Sequence, residues 1–309
     1  MASSKRWPEM VFRGGISLSK AHNTIKRFSE DIDVALGRAE LGIKDTVSSL
    51  ASMPSELRDD RLQMLDDLGE RFVHDIMFPH LNDYLDQLFK GNSNASRPSI
   101  RRDTEDLLTL QMPYEPIVGS AGGYVPTTVR LEFSIKSALR PNTPRSFRPF
   151  IAGIVPDTKM DLTRIPTISV AGTFWDKILI VHELKDRHSK NLELTFVNER
   201  VSRHYYDLFA LIKGKKVSVN KKQTKLAADC QRHSSVFYPN PEIDLSDALP
   251  GTLDITPTPE MMSKLKSDYN EMSVMIFGDA PPFEEVCETL RKFENEINRF
   301  DLKDAVSNR

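Results

Sequence analysis

At 309 residues with 39% hydrophobic content, the chain is long enough to bury a sizeable core and to divide into two lobes, because single cores rarely grow past about 250 to 300 residues. A formal charge of −2 and a pI near 6.4 exclude a uniformly basic protein that coats nucleic acid, and two distant cysteines, Cys230 and Cys287, exclude a disulfide framework and a Cys-x-x-Cys site. No apolar run approaches the roughly 20 residues that span a bilayer, and the first residues lack the apolar core of a signal peptide, so a reducing cytoplasm is the expected location.

The densest chemistry lies in residues 12 to 33. Gly14 and Gly15 let the backbone approach an anion with no Cβ in the way, and Ser17 and Ser19 stand where they can cap the helix that follows, whose free amides favour phosphate. Leu18, Ala21, Ile25 and Phe28 recur at helical spacing, which predicts a helix over Ser17 to Arg27 leading into a strand over Asp31 to Leu36. A strand period of two sends Asp31 and Asp33 to one face and Ile32 and Val34 to the other. Two carboxylates side by side in a dry cleft repel each other unless a cation lies between them, and hard oxygen donors suit Mg²⁺ carrying substrate phosphates.

Residues 58 to 89 give a long amphipathic helix that Pro79 should kink or divide. Gly91 to Pro98 reads as a turn, Leu107 to Met112 as strand-like, and 125 to 136 as a strand that alternates strictly, with Glu132 on its polar face. Glu132 is either an ordinary solvent-facing residue or, if its strand neighbours the Asp31 strand, a third carboxylate of the same cluster. A proline-bearing, Arg-rich loop follows from Arg140 to Arg148, then a strand at Ile165 to Ala171.

From Thr173 the period turns helical, which divides the chain into an α/β lobe over 1–171 and a helical lobe over 172–309. Thr173 is the expected N-cap of a helix carrying Lys177. A helix over about 197–212 carries Asp207, which an intrahelical pairing with Arg203 or Arg200 would explain at about 0.3–0.5 kcal/mol. Two more helices are expected, one from Pro259 capped by Thr258, one after Pro281-Pro282. The seven histidines show no zinc-ligand spacing. Eight Lys or Arg between 200 and 225 face only Asp207 in acid, and read equally as a solvated surface or as a footprint for RNA or triphosphate.

Four stretches in this order resemble the AbiEii-type nucleotidyltransferase toxins of the DNA polymerase β-like superfamily: residues 12–20 with 27–33, Leu131-Glu132-Phe133, Thr173-Phe174-Trp175-Asp176-Lys177, and Arg203-His204-Tyr205-Tyr206-Asp207-Leu208. The resemblance implies a mixed-sheet nucleotidyltransferase lobe, then a helical lobe that contributes Lys177 and Asp207 to the active-site cleft. Carried over residue by residue, Asp31 and Asp33 bind Mg²⁺ with Glu132 as third ligand, Lys177 contacts the NTP triphosphate, and Asp207 is a catalytic or site-orienting carboxylate. Gly14, Gly15 and Ser17 hold the nucleotide. Ile16 stands where the family commonly carries threonine, which leaves Ser17 to supply that hydroxyl.

The implied reaction transfers a nucleoside monophosphate from an NTP to RNA, by resemblance a tRNA 3′ end. The implied setting is the toxin arm of a type IV toxin–antitoxin or abortive-infection pair with a winged-helix antitoxin as partner. The alternatives are nucleotidylation of a protein or an aminoglycoside-like small molecule, and a catalytically idle nucleotide-binding module.

Overall fold

The structure, a computed structural model, describes residues 7–90, 97–116, 126–149, 161–192 and 200–307. The expected turn at Gly91 to Pro98, the start of the strand at Val125 and the start of the helix at 197 run outside the described residues. The chain forms two compact units, one of Met1–Ser17 with Glu30–Thr167, the other of Leu18–Ser29 with Ile168–Arg309.

The first unit is built on a seven-stranded mixed sheet: β1 (Met10–Arg13), β2 (Asp31–Leu36), β3 (Arg101–Arg102), β4 (Thr109–Pro113), β5 (Thr128–Ser134), β6 (Asn142–Phe147) and β7 (Leu162–Ile168), ordered β3-β4-β5-β2-β1-β7-β6. β2 lies at the centre, antiparallel to β1 and parallel to β5. The alternation read over β5 is real: Phe133 and the following Ile135 are buried, while Arg130 and Glu132 share the opposite, half-buried face.

β6 replaces the expected loop over Arg140 to Arg148. Pro144 lies on this edge strand, the part of a sheet where proline is tolerated because only one side of the strand is paired.

Helices α1 (Gly14–Ile16), α2 (Val47–Ala51), α3 (Ser55–Phe72) and α4 (Phe78–Phe89) belong to the same unit. A π-helical turn, Val73–Met77, joins α3 to α4 where a division at Pro79 was expected. Pro79 has no N–H for the carbonyl four residues back, and the wider turn just before it absorbs that loss. Leu62, Leu65, Phe72, Val73 and Leu85 form the buried stripe, and a Cβ on Gly69 would meet Leu108 and Ile135, so α3 lies close on the sheet.

The second unit is helical: α5 (Val170–Ser189), α6 (Ser202–Lys213), α7 (Lys221–Phe237), α8 (Pro259–Met272) and α9 (Phe283–Ser307). α5 begins earlier than predicted because Ser169, whose hydroxyl accepts from the Gly172 amide at 3.0 Å, is its N-cap; Thr173 is buried inside the first turns. Thr258 caps α8 as the sequence predicts. α6 packs against α5, α8 and α9, with Tyr205, Leu208 and Leu211 fully buried. α7 begins in what the sequence offered only as a charge block and runs twelve residues beyond it, and its Gln223 accepts from the Trp175 indole at 2.8 Å. Cys287 is buried and Cys230 half-buried. Among the described residues no helix is long and apolar enough to cross a membrane.

Candidate functional site

Two constellations of charge are built by these elements, one in each unit.

In the sheet unit the register aligns polar side chains in two rows. Arg13, Asp33, Glu132 and Thr109 stand in register across β1, β2, β5 and β4, and Asp31, Arg130 and Gln111 form the next row two residues along. Paired residues of neighbouring strands point to the same face, so Asp31, Asp33 and Glu132 share one face, with Ile32, Val34, Leu131 and Phe133 on the other. The structure therefore places Glu132 directly beside Asp33.

Gly14 closes this group from the side. Its φ is +70°, in the region that favours glycine, and a Cβ built there would lie 1.8 Å from Oδ2 of Asp33. The glycine is required because the Asp33 carboxylate occupies the space of a side chain. Gly14–Ile16 forms one helical turn that runs into a π-helical turn, Ser17–Ala21, and the fully buried Ser17 hydroxyl donates to the Gly14 carbonyl at 2.8 Å. In this structure Ser17 braces the glycine turn instead of capping a following helix. The predicted helix to Arg27 stops early: Asn23 adopts a positive φ, and the Thr24 amide and hydroxyl both donate to the Leu18 carbonyl at 2.8 and 3.0 Å.

Gly14→Ala is expected to destabilise the protein by about 1–2 kcal/mol through the backbone alone, and by more as the carboxylate is pushed aside. Urea melts measure this, and a wild-type midpoint would show that Gly14 and Asp33 are not in contact.

Sequence reasoning gave no role to Arg130. Its Nε donates to Glu132 Oε1 at 2.8 Å and its Nη1 to Asp103 Oδ2 at 3.1 Å. Burial works against its charge, yet Glu132, Asp103 and Asp31 more than compensate and raise its pKa. Among the described residues no three His, Cys, Asp or Glu side chains converge as a metal cage. Asp31 and Asp33 fit a hard divalent cation as two oxygen donors on one face, and Glu132, with one of its two oxygens on Arg130, stands beside Asp33 in the same row.

In the helical unit, Lys177 on α5 and Asp207 on α6 meet at 2.9 Å. Arg27 joins them, its Nε donating to Asp207 Oδ1 and its Nη2 to Oδ2, both at 2.7 Å. All three are buried, Asp207 completely. The carboxylate is thus held by Arg27 and Lys177, and the local pairing with Arg203 or Arg200 is not what explains it. Burial opposes its charge, but the two cations hold its pKa below the ordinary value. Burial depresses the Lys177 pKa, as does Arg27, against the opposing pull of Asp207. His204 Nδ1 lies 3.3 Å from Lys177 Nζ, and burial together with the nearby cations keeps this imidazole neutral. Arg27 and His204 received no role from the sequence. The available signal was weak, a single arginine followed by Phe28 and four residues short of Asp31.

The lysines of the basic block, Lys213, Lys215, Lys216, Lys221, Lys222 and Lys225, are all exposed, at the end of α6, in the following loop and on the first turns of α7. Lys213 pairs with Glu285 at 2.9 Å.

No curated protein shows a significant match to the chain. Among solved structures it aligns with MenT4, a nucleotidyltransferase toxin of Mycobacterium tuberculosis H37Rv, at 12% identity and a TM-score of 0.30, over 96% of this chain and 86% of that one. The family model for the nucleotidyl transferase AbiEii toxin of type IV toxin–antitoxin systems matches residues 3–293. That span covers most of both units and every residue of the two constellations, and the chain belongs to the AbiEii family of nucleotidyltransferase toxins.

Proposed function

We propose that this toxin transfers a nucleoside monophosphate from an NTP to a hydroxyl of RNA, with a tRNA 3′ end as acceptor, and releases pyrophosphate. The observation that carries this reading is the Asp31, Asp33 and Glu132 face set against Gly14 in a chain of nucleotidyltransferase family. The acceptor oxygen forms a bond to the α-phosphorus, the bond from that phosphorus to the bridging oxygen breaks, and the hydroxyl proton passes to solvent.

Asp31 and Asp33 would hold Mg²⁺, with Glu132 as third donor. A bound divalent cation supplies charge neutralisation and alignment at the phosphates. Gly14 and Gly15 offer backbone to the phosphates, with Ser17 bracing the turn that presents them. Lys177 supplies a positive charge for the triphosphate, and Asp207 positions it. The exposed lysines from 213 to 225 suit a polyanionic acceptor, since each phosphate contact adds salt-dependent affinity. A cytoplasmic toxin acting on growth or phage propagation, and checked by a winged-helix antitoxin, completes the reading.

The test incubates purified protein with Mg²⁺, each α-labelled NTP in turn, and total tRNA, protein or aminoglycoside as acceptors. Label is expected on RNA alone. Label on protein or on the small molecule would replace the acceptor, and NTP binding without label on any acceptor would make the chain an idle nucleotide-binding module.

A further inference from the structure

The buried cluster of the helical unit places two cations on one carboxylate, and they are held in unequal ways. Arg27 makes a two-pronged contact with Asp207 and donates its Nη1 to the Phe28 carbonyl at 2.9 Å, so its planar group is fixed by three hydrogen bonds to two partners. Its backbone is fixed as well. Arg27 bridges Ile276 in antiparallel fashion, with Phe28 N donating to the Met275 carbonyl at 2.7 Å and Phe277 N to the Lys26 carbonyl at 2.8 Å. Lys177 touches Asp207 through one ammonium contact at 2.9 Å, at the end of a long side chain, and has a second handhold in His204 Nδ1. Of the two cations, Lys177 is the one that can exchange partners.

We propose that Arg27 is a positioning residue for polyphosphate capture: by satisfying both oxygens of Asp207 it frees Lys177 to move its ammonium onto an incoming phosphate without stranding a buried carboxylate. The inference rests on reading the chain as an NTP-using enzyme. The physical argument is one of exchange. A lone Asp207–Lys177 pair in a buried site would resist separation, because parting them leaves an uncompensated buried charge. With Arg27 in place the carboxylate stays neutralised when Lys177 leaves, and the excess positive charge, to which Arg203 adds, attracts an anion. His204 contributes no charge of its own and accepts from Lys177, which gives the ammonium a neutral resting partner.

The test uses inorganic pyrophosphate as the probe, without added metal, titrated calorimetrically into the full chain and its variants at fixed ionic strength. Arg27→Gln is expected to weaken pyrophosphate binding by about tenfold or more, because Asp207 then keeps Lys177 for itself. Arg27→Gln combined with Asp207→Asn is expected to recover most of that loss, since the competing carboxylate has gone. Lys177→Met should lose binding in every background. In turnover, Arg27→Gln should raise KM for the NTP more than it lowers kcat.

Wild-type pyrophosphate affinity in a folded Arg27→Gln protein overturns the proposal, as does a double variant no better than Arg27→Gln alone. If Arg27→Gln does not fold, Arg27→Lys, which keeps the charge but loses the two-pronged contact, should show an intermediate loss, and unchanged affinity there overturns it equally. The predicted binding pattern without labelled transfer would sink the enzymatic reading alone, and transfer without the pattern would sink this inference alone.

Discussion

Asp33→Asn is expected to lower nucleotidyl transfer on the order of 10³-fold while the protein melts as the wild type does. The amide keeps the shape of the side chain that packs where a Gly14 Cβ would be, and the pairing of β2 with β1 and β5 runs through backbone groups that the substitution leaves alone. What disappears is one negative charge from a face that also carries Asp31 and Glu132. A purely architectural carboxylate would tolerate loss of charge, whereas one that recruits a cation would not. Labelled-NTP transfer and thermal denaturation, measured on one preparation, separate the two. Full activity in Asp33→Asn would remove Asp33 from the chemistry. A collapsed melting transition would make it a brace for the Gly14 turn.

Asp31 and Asp33 were legible because a strand period of two is a local property, and so was the alternation that put Glu132 on a polar face. Their adjacency was not. β2 and β5 are parallel strands about 100 residues apart in sequence, and only the sheet register sets Asp33 opposite Glu132. The edge strand β6 was obscured by Pro144 and by arginines that resemble a loop composition, and the early start of α5 by Val170 and Ala171, which read as the end of β7.

Asp207 shows the sharper failure of local reasoning. Arg203 stands one turn away and offered a sufficient partner, while the residue that clamps it, Arg27, lies 180 positions earlier. Arg27 in turn looked like a helix residue, and the helix ends before reaching it, at a positive-φ Asn23. Short-range patterns thus indicated which residues carry charge, and long-range packing decided which charges meet.

That packing makes Asp207→Ala the substitution with the largest expected effect on stability, about 3–5 kcal/mol. Arg27 is 2% exposed and cannot shed its proton, so it would be left as a buried cation with two strong hydrogen bonds unmade. Lys177 suffers less, because burial already favours its neutral form. Replacing both members of the clamp, Arg27→Met with Asp207→Leu, should therefore destabilise less than Asp207→Ala alone. The pH dependence follows from the direction of the Asp207 shift. Its folded pKa lies below the ordinary 3.8, so its contribution is present in full above about that pH and is lost as pH falls through the lower folded value. Urea melts at stepped pH should show the gap between wild type and Asp207→Ala narrowing below that point. A gap that stays constant into acid would assign the loss to the cavity left by the side chain, and the Arg27 clamp would then contribute little through its charge.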